Sequence, residues 1–569
     1  MPLRSHRLIL FVALFLSTLL SLSACREPQT WDSVPEFTDL CSDQQDWQTY
    51  QSRVNTANIG LFDVWETHVS REVSKVDPFD YQQIRLTGRF QSESNKTLIT
   101  HGFYDGQDTW KIRFNPPAAG LWHYTLTWSD GDSQTTGQFN VSDKINTPTP
   151  PIAIDPHYPN KMVQLPNTPF HWVGGRWISA QSYAPCEVAQ HDFLIPSQQW
   201  LSDQAHQQHF DFLQSEKHNA VLIKMAQYAL LSDGSTWDLP WIQRAEWLVR
   251  EAMARGIYVQ INLFDTWSRN NQHKLIKTTN GPDHPFNVWG SEEQLPSNED
   301  RAKAKNYLRT LVARFAAYPN IMWELGNEME HSPNCGECFV KLANQYYIPW
   351  IKSEDPYDRL IGLSENVWQS TSVDVGFLHQ TNAHIFEDLP TDRPLLMNEL
   401  VRSDDSPALW RDEVIRDKNH RLAFRRTFWR MLMVGGVGSF EATWLNISDK
   451  LSKPVRNVMA DHKHVASFIE DLTTQGANLN ARQVNNTWVS SDDQTGIYGF
   501  TVEPGIYAAY ILLSEDASRT LTVNLPNPDS RLRWYHSKTG EWEDATLKNQ
   551  TLTLPKRAKD IVLVADQEN

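Results

Sequence analysis

"IMWELGNEME", residues 321–330, opens like a strand made for a core, with Ile321, Met322 and Trp323, and turns polar at Gly326-Asn327-Glu328. A buried strand that ends in an adjacent amide and carboxylate sets hydrogen-bonding groups at the rim of a sheet, where the active sites of parallel α/β folds lie. The flanking sequence has the matching rhythm. "NAVLIKMA" (219–226) and "IYVQINLF" (257–264) are apolar strands of the same kind. Between them, "WIQRAEWLVREAMARG" (241–256) puts Trp241, Ala245, Leu248, Val249, Ala252 and Met253 on one helical stripe, with Gly256 at the position of a C-terminal cap. "RAKAKNYLRTLVARFAAYP" (301–319) is a further helix. Strand and helix in alternation predict a parallel sheet buried beneath helices.

Adding "FHWVGG" (170–175), "RLIGLS" (359–364), "VDVGFLH" (373–379), "RPLLMNE" (393–399) and "VGGVGSFEATW" (434–444) brings the candidate strands to eight. Eight predict a (β/α)8 barrel, placed at residues 166–475. One section is crowded: residues 360–399 must hold strands five, six and seven, which leaves little room for full helices and keeps a doubly wound sheet as the competing topology.

On either side the pattern changes to short strands broken by Gly and Pro. Residues 51–145, with "GFYDG" (102–106) and "RFNPPAAGLWHY" (113–124), predict an N-terminal antiparallel β-sandwich, and residues 476–569 a smaller C-terminal one. The Pro-rich "NTPTPPIAIDPHYPN" (146–160) begins a linker assigned to 146–165. A chain of 569 residues needs several cores, which agrees with this division.

The first 24 residues carry Arg4 and Arg7, then an apolar run from Leu8 to about Leu20, the layout of a secretory signal. Their end, Leu22-Ser23-Ala24-Cys25, resembles a bacterial lipobox. That resemblance implies cleavage before Cys25, a lipid on its thiol, a polar tether over 25–50, and an envelope location at the outer membrane where the host has two membranes. Four cysteines then remain, Cys41, Cys186, Cys335 and Cys338, in a compartment that permits disulfides, and three full pairings stay open.

Composition narrows the chemistry. With 52 Lys and Arg against 68 Asp and Glu, the net charge of −16 opposes nucleic acid as a partner. No G-x-S-x-G elbow, phosphate loop or dinucleotide fingerprint occurs in a fitting context, and His191, His206 and His209 lack ligand spacing, so neither a cofactor nor a metal is expected.

Glu328 ends the fourth candidate strand and Glu399 the seventh. Two carboxylates at two strand ends of one barrel meet across its mouth, and glycoside hydrolysis needs such a pair. "WELGNE" on strand four with a glutamate ending strand seven resembles the retaining glycoside hydrolases of clan A, the 4/7 superfamily. The resemblance covers the barrel, and sandwich modules flank such barrels. It implies Glu328 as acid/base, Glu399 as nucleophile, and Asn327 as donor to the hydroxyl beside the reacting carbon. The roles demand opposite protonation states at one pH, and an ionised Glu399 keeps its neighbour protonated until the leaving group departs.

Around this pair, His379, Trp444, Arg176, Trp177 and Asp265 follow or end other candidate strands and are substrate-pocket candidates. Alternation puts Glu324 on the face of Glu328 but deeper, as a structural carboxylate with Lys224 for partner. The expected partner is an extracytoplasmic oligo- or polysaccharide. The competing readings are a surface glycan-binding lipoprotein without activity, and a transglycosylase using the same residues.

Overall fold

The computed structural model of the chain describes residues 41–43, 59–131, 134–178, 199–201, 203–224, 237–265, 267–269, 275–277, 295–329, 336–378, 392–400, 418–440, 453–491, 496–513, 519–525, 527–556 and 558–567. Its centre is a closed barrel of eight parallel strands. They are β1 (Val173–Ile178), β2 (Ala220–Lys224), β3 (Tyr258–Asn262), β4 (Ile321–Glu324), β5 (Ile361–Ser364), β6 (Val375–Leu378), β7 (Leu395–Leu400) and β8 (Val437–Phe440). β8 returns to β1 through Val173↔Gly438 and Gly174↔Ser439, so the sheet closes and the doubly wound alternative falls.

Two-residue alternation decides what each strand contributes. One set, including Val221, Ile223, Val259, Ile261, Ile321, Trp323, Ile361, Leu363 and Met397, packs outward against the helices. The opposite set, Ala220, Tyr258, Met322, Leu360, Val375, Phe377 and Leu396, fills the interior. Gly362 is small for a visible reason: a Cβ there would meet the Phe377 ring at 2.1 Å.

The helices are α1 (Asp203–Ser215), α2 (Leu239–Ala254), α3 (Asn298–Phe315), α4 (Gly336–Leu342), α5 (Ile348–Glu354), α6 (Lys418–Val434) and α7 (Lys453–Thr474). Asp238 caps α2 by accepting from the Trp241 N–H. Five residues of its sequence stripe are buried, and Met253 is half-buried. In the crowded section the step from β5 to β6 uses only a 3-10 turn, Glu365–Ser370, which explains how so few residues hold two strands.

The connector at 146–165 is itself structured. Ile152–Ile154, Met162–Gln164 and Thr168–Phe170 form an antiparallel meander. Its Ile152, Met162 and Phe170 join Trp172 in the interior core, so the meander plugs the N-terminal end of the barrel.

Residues 59–145 form a five-stranded and a three-stranded sheet with one core that holds Trp65, Phe90, Ile112, Phe114, Trp122 and Phe139. The pairing departs from the all-antiparallel expectation at one place. Ile59–Leu61 runs parallel to Gln134–Ile145, because the intervening strands supply the long crossover that a parallel pair requires. A buried ion network joins this unit to the barrel. Arg113 donates to Glu66 (2.6 Å), Glu246 of α2 (2.7 Å) and the Arg314 carbonyl (2.7 Å), and Arg314 of α3 donates to Glu246 (2.8 Å) and pairs with Asp105. Burial pushes the Glu246 carboxyl up, but Arg113 and Arg314 outweigh it and hold it well below the usual range.

After α7 come a six-stranded and a three-stranded sheet that share Trp488, Ile511, Leu521, Trp534 and Leu563. The far face of the larger sheet packs on the barrel, where the Trp429 and Tyr510 rings stack at 5.8 Å and Arg425 donates twice to Asp560 (2.9 and 2.7 Å). Among the described helices none is long and apolar enough to cross a membrane. Cys338, in α4, is in a disulfide. Cys25 and the signal and tether lie outside the described residues, apart from a three-residue strand, Cys41–Asp43, that pairs with Gln199–Leu201.

Candidate active site

β4 stops at Glu324, and the chain beyond it leaves strand geometry. Asn327 forms an isolated parallel bridge with Asp265, just past β3, and its N–H donates to the Phe264 carbonyl at 2.9 Å. Its side-chain amide donates to Asp265 Oδ1 at 3.3 Å, and both side chains are buried. Glu328 then adopts φ +53°, a left-handed conformation that costs a residue with a Cβ roughly 1–2 kcal/mol. The turn is held from below. The Ser364 hydroxyl, at the end of β5, accepts from the Glu328 N–H at 2.7 Å and donates to the Gly326 carbonyl at 3.0 Å. Strand alternation ends at Glu324, four residues before Glu328, so it is this turn and not alternation that sets the direction of Glu328.

Glu324 is fully buried inside the barrel and works as a hub. Asn262, ending β3, donates to its Oε2 at 3.0 Å, and Asn398 of β7 donates to its Oε1 at 3.3 Å. The second bond spans the barrel, so the strand ends that lead to Glu328 and Glu399 are tied side chain to side chain. Lys224 stands in register with Asn262 on β2, and its side chain lies outside the described ones.

Glu399 occupies the C-terminal end of β7 beside an irregularity. The pairing of β7 with β8 shifts register between Met397 and Leu400. Regular alternation would leave residue 399 on the outer face with Leu395 and Met397; the shift interrupts that alternation at Glu399. Its side chain is not among the described ones.

A protein-family model described as cellulase (glycosyl hydrolase family 5) matches residues 183–400, which carry β2 to β7 with Glu324, Asn327, Glu328 and Glu399. The chain is a glycoside hydrolase. A second model, a domain of unknown function (DUF5060), matches residues 58–129 of the hydrolase, within its N-terminal sheet unit. No curated protein sequence matches. Among solved structures, a Bacteroides vulgatus protein assigned as a glycoside hydrolase is 15% identical, with 90% of this chain and 100% of that one covered and a TM-score of 0.62. A family 5 glycoside hydrolase from the same organism is 12% identical over 75% of this chain and 96% of that one, at a TM-score of 0.50. At such identities the likeness is one of fold.

The remaining candidates of the hydrolase divide between backbone and blank. Arg176 and Trp177 lie on β1, where the register with β2 shifts between Gly174 and Trp177, and their side chains lie outside the described ones. His379, directly after β6, and Trp444, after β8, lie outside the described residues. Among the described residues no group of three or more His, Cys, Asp or Glu side chains is arranged to hold a metal ion.

Ser364, Asn262 and Asn398 were not singled out by sequence. For Asn398 a signal existed: "MNEL" repeats on strand seven the Asn-Glu pair of strand four.

Proposed function

We propose that the enzyme is a retaining hydrolase that cleaves O-glycosidic bonds of an extracytoplasmic oligo- or polysaccharide by double displacement. The observation that carries this reading is the Glu324–Asn398 hydrogen bond across the barrel, which brings the ends of β4 and β7 to one opening. In the first step the Glu399 carboxylate attacks the anomeric carbon, the glycosidic C–O bond breaks, and the Glu328 proton goes to the departing oxygen. A glycosyl ester on Glu399 results. In the second step Glu328, now a carboxylate, takes a proton from water, whose oxygen attacks the same carbon and releases Glu399.

Asn327 commits one amide N–H to Asp265 and keeps a second for a sugar hydroxyl next to the reacting carbon. We read His379, Trp444, Arg176, Trp177 and Asp265 as the surrounding pocket, the two flanking units as sandwiches that brace the barrel, and Cys25 as the lipid-bearing residue that anchors the enzyme in the cell envelope. The name of the matched model makes β-glucans the first polysaccharides to assay.

A 2-deoxy-2-fluoro glycoside with an activated leaving group tests the mechanism. The expected result is a stable adduct of one fluoroglycosyl unit whose peptide map ends on Glu399, absent in Glu399→Gln. Turnover of the unfluorinated glycoside with no adduct, or an adduct on another residue, refutes the assignment.

A further inference from the structure

At the opposite end of the barrel from Glu328, three basic side chains from distant parts of the chain gather beneath the fold. Lys161 precedes the second strand of the meander, His171 leads into β1, and Arg482 follows the 3-10 turn Leu479–Ala481. Arg482 is only 8% exposed. Its Nη1 donates to the Leu479 carbonyl at 2.9 Å, while Nε and Nη2 are buried with no hydrogen-bond acceptor. Lys161 Nζ reaches only the Gly435 carbonyl, at 2.6 Å, and buried His171 has no partner for Nε2.

No carboxylate among the described residues pairs with these groups. Asp155, on the same hairpin as Lys161, is already engaged by the Asn480 amide (2.8 Å) and by the N–H groups of His157 (2.8 Å) and Tyr158 (3.2 Å). A guanidinium does not deprotonate in a protein, so a buried one must find a counter-charge or bear a desolvation cost of several kcal/mol.

Gly435 shows how closely the two cationic groups converge. It turns the chain from α6 toward β8 at φ +98°, and the point where its side chain would begin is 2.7 Å from Lys161 Nζ and 3.8 Å from both Arg482 Nε and Nη2. Outside the glycine's own chain neighbours, the atom nearest that point is the ammonium nitrogen, and the guanidinium nitrogens come next. Lys161 Nζ and the Nε–Nη2 edge of Arg482 thus converge beside Gly435, near enough to share one counter-charge.

We propose that these two side chains bind a small inorganic anion, a halide or one oxygen of a phosphate or sulfate, held between Lys161 Nζ and the Nε–Nη2 edge of Arg482. The anion joins three parts of the fold: the meander that plugs the barrel, the turn that feeds β8, and the entry to the C-terminal sheets. β8 meets β1 in only two paired positions, so the clamp sits beside the seam that closes the barrel. Burial pushes the Lys161 ammonium down to about 7, with Arg482 adding to the effect, and burial pushes Arg482 down to about 10.

Thermal unfolding of the full chain, at constant pH and ionic strength with gluconate replaced stepwise by chloride, bromide, phosphate or sulfate, tests the site. The expected result is a midpoint that rises and then saturates with at least one of these ions, by on the order of 5 °C at a hundredfold excess over Kd. Which ion saturates first distinguishes halide from oxyanion. Lys161→Met and Arg482→Gln should each abolish the saturable rise, the lysine variant serving if the arginine variant does not fold. Bromide-soaked crystals of the wild type should show an anomalous peak between the two side chains. A midpoint indifferent to all four ions, an equal response in Lys161→Met or, where a halide saturates first, a water in place of bromide overturns the proposal.

Discussion

Ser364→Ala removes one oxygen and leaves two partners behind it. The Glu328 N–H loses its acceptor at 2.7 Å, and the Gly326 carbonyl loses one donor at 3.0 Å but keeps the Ser364 N–H at 3.3 Å, at a serine that is itself fully buried. Leaving the Glu328 N–H without this acceptor costs about 1–3 kcal/mol. The left-handed backbone of Glu328 adds roughly 1–2 kcal/mol that the serine no longer offsets. The cheapest relaxation is for Glu328 to leave φ +53°, which, in the proposed acid role, swings its carboxyl away from the leaving-group oxygen. A displacement of about 1 Å at a reacting group lowers the rate on the order of 100-fold. The expected outcome is therefore a fall in kcat of about two orders of magnitude with KM little changed. The loss should be larger for aryl glycosides with poor leaving groups, which need a proton, than for those with good ones, and Ser364→Thr should restore part of it. A mere packing role would slow all substrates alike. Equal losses across the leaving-group series, or none, would refute the claim that Ser364 positions the acid.

Other consequences follow from the same contacts. Glu246→Gln removes the carboxylate that buried Arg113 and Arg314 share, leaving them Glu66 and Asp105, and should destabilise the chain by up to about 3 kcal/mol, read as a lower denaturant midpoint; a loss under about 1 kcal/mol contradicts the network's role. Because the folded Glu246 carboxyl lies below its usual value of 4.5, its contribution is fully present above that pH and is lost as pH falls beneath it. Wild type should accordingly lose stability between about pH 5 and 3 more steeply than Glu246→Gln, and parallel pH profiles would count against the assignment. Gly362→Ala drives a methyl to within 2.1 Å of the Phe377 ring and should cost about 1–3 kcal/mol of stability by overpacking; an unchanged unfolding midpoint would contradict that close approach.

The barrel was readable because its signal is local. Each strand is a short apolar run, and α2 carries its buried stripe at helical spacing, so periodicity alone recovers eight strands in order. What periodicity misses is whatever breaks it. Glu328 lies in a left-handed turn beyond β4, and the pairing of β7 with β8 shifts register between Met397 and Leu400, so regular alternation does not run through either stretch. Ser364 looks like an ordinary strand end until its hydroxyl is found beneath residue 328. Glu324 draws its partners from β3 and β7, 62 and 74 residues away, and Arg113 reaches the Arg314 carbonyl across 201 residues. No window of sequence contains such pairs. The parallel edge strand at Ile59–Leu61 escaped for a similar reason, since strand direction depends on which neighbour a segment finds.

The separation of the Glu328 and Glu399 carboxyl groups in a crystal structure is the most direct test of the proposed mechanism. Double displacement predicts that they face each other over the barrel mouth at about 5–5.5 Å. A gap of roughly 6.5–9.5 Å would instead mean inversion through a bound water, and a larger one would mean that the two glutamates do not share a glycosidic bond.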